Sequence, residues 1–425
     1  MMQEFNYIEK IEGKLSLPGD KSVSHRAVMF ASLAKGKSVI DNCLNADDVN
    51  STISCFRELG CRIERKGDIV IVEGSGFKGL KKPQKDLYAG NSGTTARLIS
   101  GILCAQNFES VITGDESLSR RPMKRVIGPL SLMGADINSA DGGALPVTIK
   151  PSKLLHPVSY EMEVASAQVK SALLLAGLHL EGITRITEPE KTRNHTENLL
   201  NLLVEEIEGK NVISVSKENY PLNFEMTVPS DISSAAFFIV FALLSNSSEL
   251  VIENVLLNET RTGILEILKR MGGNIAITDE KINNGEKSGT LIVKNSKLRN
   301  CSIEKELVPN IIDEIPILSI AGLFAEGKFE IRNAKELRFK ESDRIKALCE
   351  NYKYMGLEVE EFEDGFSIQG EINGRNLVFE SFLDHRIAMS FAVLSMLRKN
   401  GGKVNNFECV EISNPEFLNQ IKSIV

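Results

Sequence analysis

Residues 17–34 read "LPGDKSVSHRAVMFASLA" and residues 228–245 read "VPSDISSAAFFIVFALLS". Each runs apolar, Pro, small, Asp, then a serine-bearing helix start, then an apolar helix. The offset of 211 residues is half of the 425-residue chain. A shorter period lies beneath it. "FRELGCRI", "LSLMGADI", "LKRMGGNI" and "YKYMGLEV" each stop an amphipathic helix at a glycine and start a strand on an apolar residue. "LLVEEIEGKNVI" is a looser fifth copy. The glycines are Gly60, Gly134, Gly209, Gly272 and Gly356, spaced 74, 75, 63 and 84 residues apart. Six such α/β units fill the chain, the last only implied at the C-terminus. Periods this long do not suit a thin solenoid, whereas two compact halves of three units each do. The halves then join near 17–21 and 228–231, which places Lys21 near the crossing.

Within the first stretch, "GDKSVSHR" (19–26) resembles a phosphate loop only at a glance. The template G-x-x-x-x-G-K-[ST] fails, because Gly13 and Gly19 are one residue too far apart and Asp20 stands where the lysine belongs. Pro18 also removes a backbone donor. The segment reads as a helix start, with Ser22 or Ser24 capping a helix that begins near His25. A lysine and an arginine there oppose the helix dipole unless an anion joins them.

Composition excludes several classes. A net charge of −7 does not suggest a nucleic-acid partner. Hydrophobic residues make up 42% and charged residues 25%, as in soluble globular proteins. The seven cysteines (Cys43, Cys55, Cys61, Cys104, Cys301, Cys349 and Cys409) form no C-x-x-C pair and no zinc spacing, so a reducing cytoplasm is expected. "MMQEFNYIEK" lacks the apolar core of a secretory signal. The longest apolar run, 235–244, is too short to span a bilayer and is expected as a buried helix.

Cations recur at turns and helix starts. "NSGTTAR" (91–97) is a small-residue turn in which Gly93 lets the backbone approach a ligand. "GDESLSRRPMKR" (114–125) is a charged loop with Arg120 and Arg121 before Pro122. "ASAQVKSALLLAG" (165–177) starts a helix with Ser166 and Gln168, and "TRNHTENLL" (192–200) puts Arg193 before another. "RFKESDRIKAL" (338–348) places Lys340 and Arg344 at i,i+4, on one helix face, with Glu341 between. "LDHRIAMSFAVL" (383–394) sets Asp384, His385 and Arg386 before an apolar helix; His385 reads as structural. Any one of these is ordinary surface chemistry. Together, in an acidic protein with no acidic Mg²⁺ cluster, they point to a small polyanionic ligand held by the cations themselves.

"PGDKSVSHR", "NSGTTAR", "RRPM", "SAQVKSALLLAG", "RFKESDR" and "LDHRIAMSF" resemble, in the same order, the motifs of the 5-enolpyruvylshikimate-3-phosphate (EPSP) synthase family, over about residues 12 to 420. The resemblance implies an α/β, two-domain enolpyruvyl transferase fold, an inverse α/β barrel with three βαβαββ units per domain. Residues 1–17 with 229–425 would form one domain and 18–228 the other, with hinges near 17–21 and 228–231. It implies transfer of the enolpyruvyl group of phosphoenolpyruvate to the 5-hydroxyl of shikimate 3-phosphate, with no metal or organic cofactor, in a cytoplasmic monomer that binds neither nucleic acid nor membrane. Carried over by position, Lys21, Ser22, Arg26, Ser166, Gln168, Asp313 and Lys340 would hold shikimate 3-phosphate. Lys21, Gly93, Arg121, Gln168, Arg344 and Arg386 would hold phosphoenolpyruvate. Asp313, in "NIIDEIPIL", and Glu341 would be the proton-transfer pair, with Lys21 beside them. "SAQVK", "NETR" (258–261) and "RNHTE" (193–197) resemble the family's divergent second class, in which Arg193 takes part of the phosphate grip. Some members carry a C-terminal lysine near "ISNPEF", where Ile412 stands here. The related UDP-N-acetylglucosamine enolpyruvyl transferases carry a loop cysteine that "GDESLSRRPM" lacks, and pair the early lysine with asparagine where Ser22 stands. A non-catalytic anion-binding protein of this fold would not need Lys21, Asp313 and Glu341 all intact.

Overall fold

The computed structural model describes residues 1–425, the side chain of Asp141 excepted. Its strands form six small sheets, four of four strands and two of three. The unit at 87–150 shows the pattern plainly. Strand Leu87–Tyr88 leads through helix Gly93–Cys104 to a parallel strand, Ser110–Thr113. Helix Lys124–Leu132 then leads to the antiparallel pair Asp136–Ala140 and Ala144–Lys150. That is a βαβαββ unit, and residues 159–215 repeat it. In the unit at 21–75 the opening strand is borrowed from later in the chain: Glu225–Thr227 runs parallel to Lys35–Asp41.

The fourth unit keeps the pattern with an opening strand supplied by the N-terminal segment, and the last two depart from it. Glu12–Leu15 opens the sheet of Glu249–Leu256, Asn274–Asn283 and Glu286–Lys294. The fifth sheet has three strands, and its opening strand survives only as one parallel bridge between Arg299 and Glu326. The sixth has Val378–Glu380 and Gly402–Asn405, and its antiparallel strand comes from the N-terminus, Gln3–Phe5.

Four of the five repeat glycines follow helices at positive φ, as their spacing predicts: Gly60, Gly134, Gly272 and Gly356. Gly209 does not. It lies in the hairpin between Leu203–Ile207 and Lys210–Val215, where Glu208 and Gly209 both have positive φ, as a two-residue type I′ turn requires. The helix of that unit, His195–Leu200, stops instead at Asn201, left-handed at φ +49°. Asparagine tolerates that conformation, so the stop carried no glycine to mark it.

Contacts divide the chain into two units: Met1–Leu17 with Ser230–Lys281 and Lys287–Val425, and Pro18–Pro229 with Ile282–Glu286. The tip 282–286 thus leaves the domain to which the sequence reading assigned it. The reason is polar anchoring of that tip. Glu286 meets His195 Nδ1 at 2.8 Å, both side chains fully buried, and Asn284 Nδ2 donates to the Glu225 carbonyl at 3.1 Å. In the first unit the apolar run lies in helix Ile232–Leu244, buried on nearly every side, as expected.

Helices Gly93–Cys104 and Ala167–Gly177 carry several candidate residues, and Gly101 sets how closely they pack. A Cβ there would lie 2.0 Å from the Ala172 carbonyl oxygen, a backbone atom that cannot step aside. Gly101→Ala is expected to lower stability by about 1–3 kcal/mol, the usual range for overpacking. Denaturant midpoints check this, and an unchanged midpoint refutes it.

Candidate functional site

In the unit Pro18–Pro229, the first helix starts earlier than its serines suggest. Asp20, not Ser22 or Ser24, caps Lys21–Leu33, accepting from Val23 N at 2.8 Å. A carboxylate is the stronger cap at this end of the dipole. Ser24 turns inward instead and accepts from Leu44 N at 3.1 Å. Lys21 is therefore the first helical residue, and its Nζ meets Asp48 Oδ2 at 3.1 Å. One turn on, Arg26 is 3% exposed. Its Nε donates to Thr196 Oγ1 (2.8 Å), Nη1 to the Ser22 carbonyl (3.0 Å) and Nη2 to Ser171 Oγ (2.9 Å). All three acceptors are neutral oxygens. Burial pulls this guanidinium down to about 10, against the more distant charges of Glu197, Asp20 and Glu286, and Arg193 lowers it further. Arg26 and Arg193 are thus close enough to feel each other, and an added anion would relieve both.

A second group forms around helix Gly93–Cys104. Ser92 caps it through Thr95 N at 3.1 Å. A Cβ on Gly93 would stand 2.9 Å from Arg97 Nη1 and 3.7 Å from Arg121 Nη1. Arg97 Nη1 donates to Gln168 Oε1 at 2.6 Å, and Gln168 Nε2 donates to Thr94 Oγ1 at 3.2 Å. Arg121 donates to Asn91 Oδ1 at 3.3 Å. Gly93, Arg121 and Gln168 are so brought together, with Arg97, which the sequence reading quoted but did not single out. Its signal was an arginine one turn after a Ser cap, and such a residue faces what lies at the helix start. Ser166 caps its own helix, accepting from Val169 N at 3.4 Å. The stretch 114–125 is not wholly loop: Asp115 caps a short helix, Glu116–Ser119.

His25 joins the two groups through hydroxyls. Its Nδ1 lies 2.7 Å from Thr52 Oγ1, which lies 2.7 Å from Thr95 Oγ1. Burial, opposed by Asp48 and aided by Lys21 and Arg26, drives His25 from 6.5 down to about 3. His179 falls to about 4, mainly by burial. Both fold as neutral imidazoles, so the unfolded chain binds more protons between those values and 6.5. This stability is fully present above pH 6.5 and is lost as pH falls toward the folded values. His25→Gln is expected to flatten the acid limb of stability against pH by up to about 1.4 kcal/mol per pH unit. Urea titrations from pH 4 to 7 measure it, and an equally steep limb in the variant refutes it.

In the other unit, Arg344 is the centre. It is 1% exposed and meets three carboxylates: Asp384 Oδ2 at its Nε (2.8 Å), Asp313 Oδ1 at Nη1 (3.2 Å) and Glu341 Oε2 at Nη2 (2.6 Å). Burial works to lower this guanidinium, but the charges of Asp384, Glu341 and Asp313 outweigh it and leave it above its ordinary value. Burial would likewise raise the Asp384 carboxyl, but Arg344 holds it below the usual carboxylate range. Lys340 does not share a helix face with Arg344. It is extended, at φ −83° and ψ −154°, while Asp343 caps a helix that begins only at Arg344. The two cations converge all the same, because Lys340 Nζ lies 3.6 Å from Asp313 Oδ1. Their repulsion is relieved by the protein's own carboxylates, not solely by a ligand. Arg386 donates from Nη1 to the Asp313 carbonyl at 2.9 Å, and Asp384 caps its helix through Arg386 N at 2.9 Å. His385 is buried at the start of that helix.

Each unit therefore gathers several cations, Lys21, Arg26, Arg97 and Arg121 in one and Lys340, Arg344 and Arg386 in the other, residue types suited to phosphate and carboxylate groups. The family model for EPSP synthase (3-phosphoshikimate 1-carboxyvinyltransferase) matches residues 5–421. A 3-phosphoshikimate 1-carboxyvinyltransferase of Petrotoga mobilis is 48% identical, over 100% of this chain and 99% of its own. The solved EPSP synthase of Acinetobacter baumannii superposes with a TM-score of 0.88 at 41% identity, covering 100% of this chain and 98% of that one. The enolpyruvyl transferase NikO of Streptomyces tendae, 14% identical, shares the fold with a TM-score of 0.73, covering 100% and 97%.

Proposed function

The chain belongs to the EPSP synthase family, and we infer that it performs that family's reaction, transfer of the enolpyruvyl group of phosphoenolpyruvate to the 5-hydroxyl of shikimate 3-phosphate with release of phosphate, in aromatic amino acid biosynthesis. The hydroxyl oxygen attacks C2 of phosphoenolpyruvate and loses its proton, while the methylene carbon C3 gains one. The adduct then loses a proton from the new methyl group as the C2–O bond to phosphate breaks. Asp313 and Glu341, with Lys21, are proposed to move these protons. What carries this reading is that both carboxylates lie on the same guanidinium, Arg344, within 3.2 Å. That holds them in fixed positions beside cations that would bind the donor.

Shikimate 3-phosphate is assigned to Lys21, Ser22, Arg26, Ser166, Gln168, Arg193, Asp313 and Lys340. Arg26 supports this, since its charge is met only by neutral oxygens in contact. Phosphoenolpyruvate is assigned to Lys21, Gly93, Arg121, Gln168, Arg344 and Arg386. The reading keeps a monomer in the reducing cytoplasm, supported there by seven free cysteines, while no single helix is long and apolar enough to cross a membrane.

Phosphate release from the two substrates tests the function. It should require both, and should stay at background with UDP-N-acetylglucosamine as acceptor. Arg121→Ala is expected to weaken phosphoenolpyruvate binding about 10- to 100-fold, the value of one charge-assisted hydrogen bond. Shikimate 3-phosphate binding should hardly change. Calorimetric titration of each ligand decides it: equal losses for both remove Arg121 from the donor site.

A further inference from the structure

Arg261, the last residue of "NETR" (258–261), and Glu314, the residue after Asp313, are buried and charged, yet the reaction above gives them no part. Arg261 is 2% exposed, Ser233 2% and Glu314 1%. Arg261 Nη2 donates to Ser233 Oγ at 2.7 Å and lies 3.5 Å from Asp231 Oδ1. The Ser233 hydroxyl donates onward to Glu314 Oε1. Glu314 Oε1 lies 3.7 Å from Arg386 Nη1, the same nitrogen that donates to the Asp313 carbonyl. Two arginines and two carboxylates thus alternate, with one hydroxyl as the joint.

Resting on the assignment of Arg386 to phosphoenolpyruvate, we propose that Arg261, Ser233 and Glu314 are positioning residues for the donor site, a buried relay that fixes the Arg386 guanidinium and the Asp313 backbone relative to each other. The physical case is one of redundancy. Asp384 already caps the helix of Arg386 through its backbone nitrogen, so Glu314 is not needed to hold the helix. On Arg386 it acts through the guanidinium. An arginine that must grip a small anion in a fixed plane gains from a buried charge that opposes its swing. Glu314 in turn has one of its oxygens oriented by Ser233, and Ser233 can donate that way because Arg261 occupies its lone pair. Ser233 also starts helix Ile232–Leu244, where Asp231 accepts from its backbone nitrogen at 2.7 Å, so the hydroxyl has a rigid base.

Ser233→Ala removes only the hydroxyl and leaves the helix cap, and Glu314→Gln keeps the shape and removes the charge. Steady-state kinetics on the full chain would measure KM for each substrate, kcat and melting temperature, with Arg386→Lys as reference. Ser233→Ala and Glu314→Gln are expected to raise KM for phosphoenolpyruvate about three- to tenfold, in keeping with the loss of one hydrogen bond. KM for shikimate 3-phosphate should stay within about twofold, a split that a merely structural role would not produce. Adding Ser233→Ala to Arg386→Lys should raise KM for phosphoenolpyruvate little beyond the single change, because both act on one contact. A lower melting temperature with both KM values unchanged, or equal rises in both, overturns the relay. So does an additive double variant. If Arg386→Lys itself leaves KM for phosphoenolpyruvate unchanged, the donor-site assignment falls and the relay with it; if it raises that KM while Ser233→Ala and Glu314→Gln do not, the relay alone falls.

Discussion

Turnover in Glu341→Gln and in Asp313→Asn is expected to fall by about 10²- to 10⁴-fold, the usual contribution of a positioned proton-transfer group. The fold should survive both changes. Neither side chain fills the core: they are 28% and 13% exposed, and both lie at the rim of Arg344. The amides keep the volume and can still accept a hydrogen bond from the guanidinium. Arg344 also retains Asp384, bonded at its Nε, so its buried charge stays compensated. What each variant loses is the ability to take up or deliver a proton. Single-turnover phosphate release, together with circular dichroism of the same samples, would measure it. Near-wild-type turnover in either variant removes that residue from proton transfer and leaves the other, with Lys21, as the candidates.

Lys170→Met is expected to be the most destabilising single change in the unit Pro18–Pro229. Lys170 is fully buried, and its Nζ meets Glu188 Oε2 at 2.8 Å and Glu197 Oε1 at 2.5 Å. Both carboxylates are only 3% exposed. Methionine fits the space but leaves two buried negative charges without their cation, and breaking a buried pair in this way typically costs about 3–5 kcal/mol. Thr192 would still donate to Glu188 from its nitrogen (3.2 Å) and its hydroxyl (2.7 Å), so the loss falls most heavily on Glu197. Thermal unfolding should shift down by on the order of 10 °C. The triple change Lys170→Met, Glu188→Gln, Glu197→Gln should regain part of this, since the charges then leave together. A midpoint for Lys170→Met within about 1 °C of the parent's would show that the cluster contributes nothing net.

How far the sequence could be read depended on how local each signal was. Caps and helix stops involve residues within four positions, so the repeat was visible in four of its five glycines, and the fifth misled only because Asn201 does a glycine's work one hairpin earlier. Lys340 was placed on a helix by spacing alone, and Asp343, a better cap three residues on, delays that helix. The charge partners of Arg344 were out of reach for another reason. Asp313 and Asp384 are 31 and 40 residues away in sequence and are joined to it only by tertiary packing. Lys170 illustrates the same limit. It sits inside "SAQVKSALLLAG", where one lysine in an apolar helix is hard to interpret until Glu188 and Glu197 are seen closing over it.

The N-terminal strand has a consequence for how this protein is made. Gln3 pairs with Val404, the Met1 carbonyl accepts from Phe407 N at 3.0 Å, and Glu12 N donates to the Ile424 carbonyl at 2.9 Å. Strand Gln3–Phe5 therefore waits for a partner, Gly402–Asn405, that is synthesised about 400 residues later. At the usual pace of synthesis that interval is roughly 20–80 s. During it the unit Pro18–Pro229 can complete itself, down to the 282–286 tip, while a short strand with an unpaired edge hangs from its front. The same closeness of the two chain ends offers a remedy by engineering. A circular permutant that begins at residue 18 and joins Val425 to Met1 by a short linker would synthesise the unit Pro18–Pro229 first and deliver the strand together with its partner.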